Sequence, residues 1–160
     1  MGSLVFVDYS RGRTHGGIGI VEATESGTLK AHRAIKVGRV QPQEGELLAL
    51  TLAMEACNSG DILLTDQEHI VESLLTHGKC AYRSRKANTD EGRSYNALVS
   101  RFNQALHTCE GVSIQHVLSH SGVRENVLAD NLAKVVSGVR RFEKSSPLAL
   151  ALGKPKITLA

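Results

Sequence analysis

Leu4-Val5-Phe6-Val7-Asp8-Tyr9 is a short apolar run that closes on a carboxylate. After the polar turn from Arg11 to His15 comes Gly16-Gly17-Ile18-Gly19-Ile20-Val21. Apolar runs of this length between turn residues read as buried strands. The glycines of the second run mark a place where another backbone or a ligand comes close. Glu25-Ser26-Gly27 is a turn signal, and Leu29 to Val37 alternates loosely, as a third strand would. Three neighbouring strands on short turns predict an antiparallel meander.

Downstream the period changes. Pro42 marks a helix start, and Gln43 to Asn58, rich in Leu and Ala, predicts a helix that Gly60 ends. Ile62-Leu63-Leu64-Thr65 is a short apolar strand closing at Asp66. A second helix is expected over Gln67 to Leu75, then a basic loop over Lys79 to Gly92. A third helix follows over Ser94 to Thr108, with Leu98, Phe102 and Leu106 on one face. Val112 to Leu118 reads as the fifth strand and Glu125 to Arg140 as the fourth helix. This order predicts an α/β fold, a mixed sheet flanked by helices, over residues 1–140. Ser146-Pro147, Gly153 and Pro155 predict an irregular tail over 141–160.

The bulk properties narrow the function classes. A chain of 160 residues suits one domain and can bury a core without disulfide staples. No apolar run approaches the roughly 20 residues of a membrane span. No basic segment followed by an apolar stretch opens the chain, so no signal peptide is expected. The three cysteines, Cys57, Cys80 and Cys109, are odd in number and lack a Cys-x-x-Cys pair. They read as free thiols of an intracellular, reducing compartment, the cytoplasm in a prokaryote. The net charge of +3 does not by itself predict nucleic-acid binding. Its distribution says more: Arg11 and Arg13 follow the first strand, and Arg83, Arg85, Lys86 and Arg93 cluster between two helices.

The carboxylates carry the chemistry. Asp8 and Asp66 each close a strand, where α/β folds tend to place their sites, although an Asp there is also a common turn former. Glu46 is more telling. With about 100° per residue, Cys57, Leu50 and Ala53 all fall within about 40° of it, so it sits at the centre of an apolar face. A lone carboxylate there is costly unless it is paired or bound to a cation. Glu44 and Glu55 fall on the far side beside Thr51 and read as solvated. Asp130 lies nearly opposite the stripe of Leu128, Leu132, Val135, Val136 and Val139, so periodicity alone reads it as a solvated acid.

Five fragments in order resemble the RNase H type I family, over roughly residues 4–136. Asp8-Tyr9-Ser10 is similar to its Asp-x-Ser, and Gly16-Gly17-Ile18-Gly19 to its Gly-Gly-x-Gly. Gln43-Glu44-Gly45-Glu46-Leu47 resembles the helix opening that carries the catalytic Glu. Leu64-Thr65-Asp66 is similar to the strand-four Thr-Asp. His120-Ser121-Gly122, then Glu125-Asn126 and Asp130, resemble the closing signature. The chain departs from the family in three places. Pro42 and Gln43 stand where an Asn pair is frequent, Glu68 stands where an amide is frequent, and no Trp-rich basic extension follows the second helix.

The resemblance implies an RNase H-like fold, with a five-stranded mixed sheet (strands one to three antiparallel) and about four helices. It implies a monomeric, metal-dependent endonuclease that hydrolyses the RNA strand of RNA/DNA hybrids. Asp8, Glu46, Asp66 and Asp130 would hold two Mg²⁺ ions, with Mn²⁺ as a substitute, and His120 would assist from a neighbouring loop. Hard divalent cations take oxygen ligands, in keeping with an all-carboxylate set. Ser10, Arg11, Arg13, Gln43, Ser121 and Gly122 are the expected substrate contacts, with arginines on phosphates and smaller groups toward the RNA 2′-hydroxyls. Two alternatives stay open: a nuclease of this fold acting on branched DNA, and a non-catalytic nucleic-acid-binding module.

Overall fold

The computed structural model describes residues 2–118 and 123–160. The meander is β1 (Leu4–Arg11), β2 (Gly16–Ala23) and β3 (Leu29–Val37), antiparallel throughout. Then come α1 (Pro42–Ala56), β4 (Ile62–Thr65), α2 (Glu68–His77), α3 (Asp90–Thr108), β5 (Ser113–His116), α4 (Arg124–Ser137), α5 (Pro147–Leu152) and β6 (Ile157–Leu159). The strands form one sheet in the order β5-β4-β1-β2-β3-β6. β4 runs parallel to β1, and β5 parallel to β4.

The α/β class and the antiparallel meander are as expected from the sequence. The strand count and the tail are corrected. Residues 141–160 are not an irregular tail, because Pro147–Leu152 is α5 and Ile157–Leu159 is β6, giving six strands and five helices among the described residues. Ser146 caps α5 by accepting the Ala149 N–H at 3.2 Å, and Pro147 occupies the first turn, where its missing N–H costs nothing. Leu148 is buried against α4, and β6 pairs parallel with β3. The tail is too short for a periodic signal, so its order comes from docking. The third helix also begins earlier than expected, at Asp90. Thr89 accepts the Gly92 N–H at 3.0 Å and so caps it.

Strand alternation divides the core between the two faces of the sheet. Val5, Val7 and Tyr9 of β1 join Ile18, Ile20 and Ile35 beneath α1 and α3. Phe6 and Val21 join Leu128, Ala129, Leu132 and Val136 of α4 on the other face. α4 lies directly on β2 because that strand carries glycine. A Cβ at Gly17 or Gly19 would collide with the carbonyl oxygens of Ala133 or Ala129. The expectation that another backbone comes close at the Gly-Gly-x-Gly run is met, and the backbone is that of α4.

The expectation that Glu44 is solvated is corrected, and Thr51 lies on the same flank. Both are buried, because α3 packs along that flank of α1 and gives it a second covered face. Thr51 satisfies its hydroxyl by donating to the Leu47 carbonyl at 2.7 Å. Glu55, one turn further, is exposed and forms an ion pair with Arg101 of α3.

Candidate active site

Parallel pairing brings Asp8 and Asp66 together, although β1 does not close at Asp8 as the sequence suggests but runs on to Arg11. The last matched pair of β1 and β4 is Phe6 with Leu64, so Asp8 and Asp66, two residues further on each, stand level on two adjacent interior strands. Glu46 reaches the same point from the first turns of α1. One carboxylate oxygen from each of Asp8, Glu46 and Asp66 lies within 4.8 Å of the others. Asp130 comes from α4 and lines the same hollow, together with Tyr9, Asn126, Val127 and Lys134. The sequence reading of Asp130 as solvated is therefore corrected: its side chain is 28% exposed, on a flank of α4 that turns toward the end of β1. The close seating of α4 on Gly17 and Gly19 sets that approach.

The cluster is electrostatically unfavourable without a cation. Burial, with the neighbouring charges of Asp66 and Asp130 adding to it, pushes the Asp8 carboxyl up to about 7. Burial and then the Asp8 charge raise the Glu46 carboxyl well above the ordinary range. Glu46 Oε1 accepts the Tyr9 N–H at 3.2 Å, and Asp8 Oδ1 accepts it at 2.9 Å. Glu46 Oε2 and Asp66 Oδ1 are buried with no hydrogen-bond partner. Buried acceptors of this kind are costly when unpaired. Two orphaned anionic oxygens pointing into a hollow of carboxylates fit hard divalent cations, which bind oxygen.

The RNase H family profile matches residues 2–137. The chain belongs to the RNase H family. No curated protein matches its sequence. Among solved structures, RNase H1 from the halophilic archaeon Halobacterium salinarum NRC-1 is 24% identical, with a TM-score of 0.64, covering 88% of this chain and 100% of that one. A foamy viral protease–reverse transcriptase in complex with dsDNA is 18% identical, with a TM-score of 0.67, covering 87% of this chain and 96% of that one. A foamy viral protease–reverse transcriptase in complex with an RNA/DNA hybrid is 17% identical, with a TM-score of 0.68, covering 87% of this chain and 20% of that one. At these identities the likeness is one of fold.

On this RNase H fold the remaining sequence candidates separate. Ser10 is half-buried at the end of β1, and its hydroxyl accepts from Ser137 Oγ at 3.0 Å. Gln43 is exposed in the first turn of α1, and Arg13 is exposed in the β1–β2 turn. Arg11 lines a separate groove with Arg39, Gln41 and Arg85, together with Glu44, Asp90 and Glu91. Arg85 is held there by its guanidinium, 3.7 Å above the Tyr95 ring. His120, Ser121 and Gly122 lie outside the described residues. Lys134 and Arg39 were not singled out from the sequence. Lys134 follows Asp130 by one helical turn, a spacing that could have pointed to it. Arg39 follows β3 in a loop and has no periodic signal. No helix among the described residues is long and apolar enough to cross a membrane.

Proposed function

We propose that the protein is a divalent-metal-dependent endoribonuclease that cuts the RNA strand of RNA/DNA hybrids. The observation that carries this reading is the cluster of Asp8, Glu46 and Asp66, with two orphaned buried oxygens, where β1, β4 and α1 of an RNase H fold meet. Asp8, Glu46, Asp66 and Asp130 would hold two Mg²⁺ or Mn²⁺ ions, which supply Lewis acidity and charge neutralisation for in-line displacement at phosphorus.

The chain's own residues then divide the work. Arg11, Arg39 and Arg85, which share one groove with Glu44, Asp90 and Glu91, hold phosphates without reading sequence. Ser10 and Gln43, with Ser121 and Gly122, approach the minor groove, where RNA displays its 2′-hydroxyls. His120, in the sequence between β5 and α4, moves a proton during water activation or product departure.

The test is cleavage of labelled RNA/DNA hybrid, duplex DNA, duplex RNA and a four-way DNA junction, each with Mg²⁺ and with Mn²⁺. Internal cuts in the RNA of the hybrid, abolished by EDTA, are expected. Cutting of the junction alone, or equal cutting of duplex RNA, overturns the reading.

A further inference from the structure

We infer that Tyr9 is a positioning residue that ties the carboxylate cluster to the approach of α1. This inference rests on the proposed reading of the site. Tyr9 stands between Asp8 and Ser10 of β1, both part of that reading, and is buried although it is the largest side chain lining the acidic hollow.

Its three parts each hold something different. The backbone N–H donates to Asp8 Oδ1 and to Glu46 Oε1, joining the β1 acid to the α1 acid. The hydroxyl accepts the Val40 N–H at 3.1 Å and donates to the Val40 carbonyl at 3.0 Å, fixing the loop that delivers Gln41, Pro42 and Gln43. The ring lies flat against Gly45, the residue just before Glu46. A Cβ on Gly45 would collide with Tyr9 Cγ, Cδ2 and Cε2. The ring's other edge meets Gly16 of β2, where a Cβ would stand 2.5 Å from Cε1. Tyr9 is thus wedged between two glycines on different elements. Neither has a positive φ, so space and not backbone conformation is what requires glycine there.

The consequence is that the distance between β1 and the first turns of α1 is set by the thickness of one aromatic ring. Glu46 rides on that turn. A change at Gly45 moves Glu46 relative to Asp8 only while the ring is present. Supporting residues of this kind typically change metal affinity by about 10- to 100-fold when altered.

The test is Mn²⁺ binding to the full chain by calorimetry, with thermal melts alongside. It uses wild type, Gly45→Ala, Tyr9→Ala, the double variant Tyr9→Ala/Gly45→Ala, and Tyr9→Phe. Gly45→Ala is expected to weaken Mn²⁺ binding about tenfold or more in the wild-type background. It should cause no further loss in the Tyr9→Ala background, where the methyl has room. Tyr9→Phe, which keeps the ring and loses only the Val40 clasp, should keep Mn²⁺ affinity and raise KM for hybrid with kcat little changed. If Gly45→Ala and Tyr9→Ala melt lower yet bind Mn²⁺ like wild type, Tyr9 only fills the core and the inference fails alone. If the wild type binds no Mn²⁺, the reading of the site fails and takes this inference with it. Should Gly45→Ala not fold, the Tyr9→Ala and Tyr9→Phe comparison still decides: equal Mn²⁺ affinity in both overturns the strut.

Discussion

Lys134 Nζ lies 2.9 Å from Asp130 Oδ2, one turn along α4, with both side chains about a quarter exposed. The ammonium offers its charge to an oxygen of the acidic hollow and repels any cation that approaches it. A surface pair at this spacing stabilises the helix by only about 0.3–0.5 kcal/mol, so its larger effect is on the site. Lys134→Met is expected to tighten Mn²⁺ binding severalfold while lowering the metal-free melting temperature slightly. Calorimetric titration checks it, and an unchanged affinity contradicts the competition.

Asp8→Asn and Glu46→Gln should each abolish hydrolysis of the hybrid. Both acids are buried among like charges, so neutralising either relieves repulsion in the metal-free protein. Metal-free melts of the two variants should therefore equal or exceed that of wild type. Variants that melt well below wild type without metal would mean that these acids serve the fold.

The same raised carboxyls fix a pH dependence. Asp8 takes its proton at about 7 in the folded chain, against an ordinary value of 3.8, and Glu46 is shifted the same way. Between those limits the folded state binds more protons than the unfolded state, so stability is greatest at the acidic end and falls as pH rises. Metal-free denaturation midpoints should drop from about pH 4 to about pH 7, by up to a few kcal/mol of stability. Asp8→Asn should flatten that slope. A metal-free wild type that gains stability over this interval would contradict the electrostatics.

Hybrid affinity should be modest and only mildly salt-sensitive. Three arginines, Arg11, Arg39 and Arg85, line one groove, interleaved with Glu44, Asp90 and Glu91. At about 0.7 to 0.9 per neutralised phosphate, they predict a log–log salt slope of about 3 or less in magnitude. Binding isotherms at several KCl concentrations measure it. A slope typical of a many-contact binder would point to a phosphate-binding surface elsewhere on the chain.

The C-terminal segment contributes to the fold. Leu148 is 3% exposed against Leu132 and Val136 of α4, the helix that carries Asp130. Leu148→Ala should cost about 2–5 kcal/mol, as buried Leu truncations do. Urea denaturation checks this, and a loss under about 0.5 kcal/mol, typical of a surface change, would mean that α5 is not part of the core.

The sequence by itself determined the local elements and singled out Asp8, Asp66 and Glu46. Short apolar runs between turns read as β1 and β2, loose alternation as β3, a Leu- and Ala-rich stretch as α1 and an apolar stripe as α4, because those patterns depend only on near neighbours. Glu46 was legible because an acid at the centre of an apolar helical face needs a reason. Asp130 was not: helical periodicity places it away from the stripe, and only the order of motifs singled it out. Its position depends on Gly17 and Gly19 letting α4 sit on the sheet, a contact more than a hundred residues away in sequence. The same limit hid the burial of Glu44 and Thr51, which a second helix covers, and the order of α5 and β6, which are too short to be stable without something to dock on. The level placement of Asp8 and Asp66 was likewise decided by tertiary structure, since the register of parallel strands is set by the crossover and the core between them. What stays local in the chain could be read from it. What joins distant segments had to wait for packing, because burial and charge are properties of the neighbours that folding supplies.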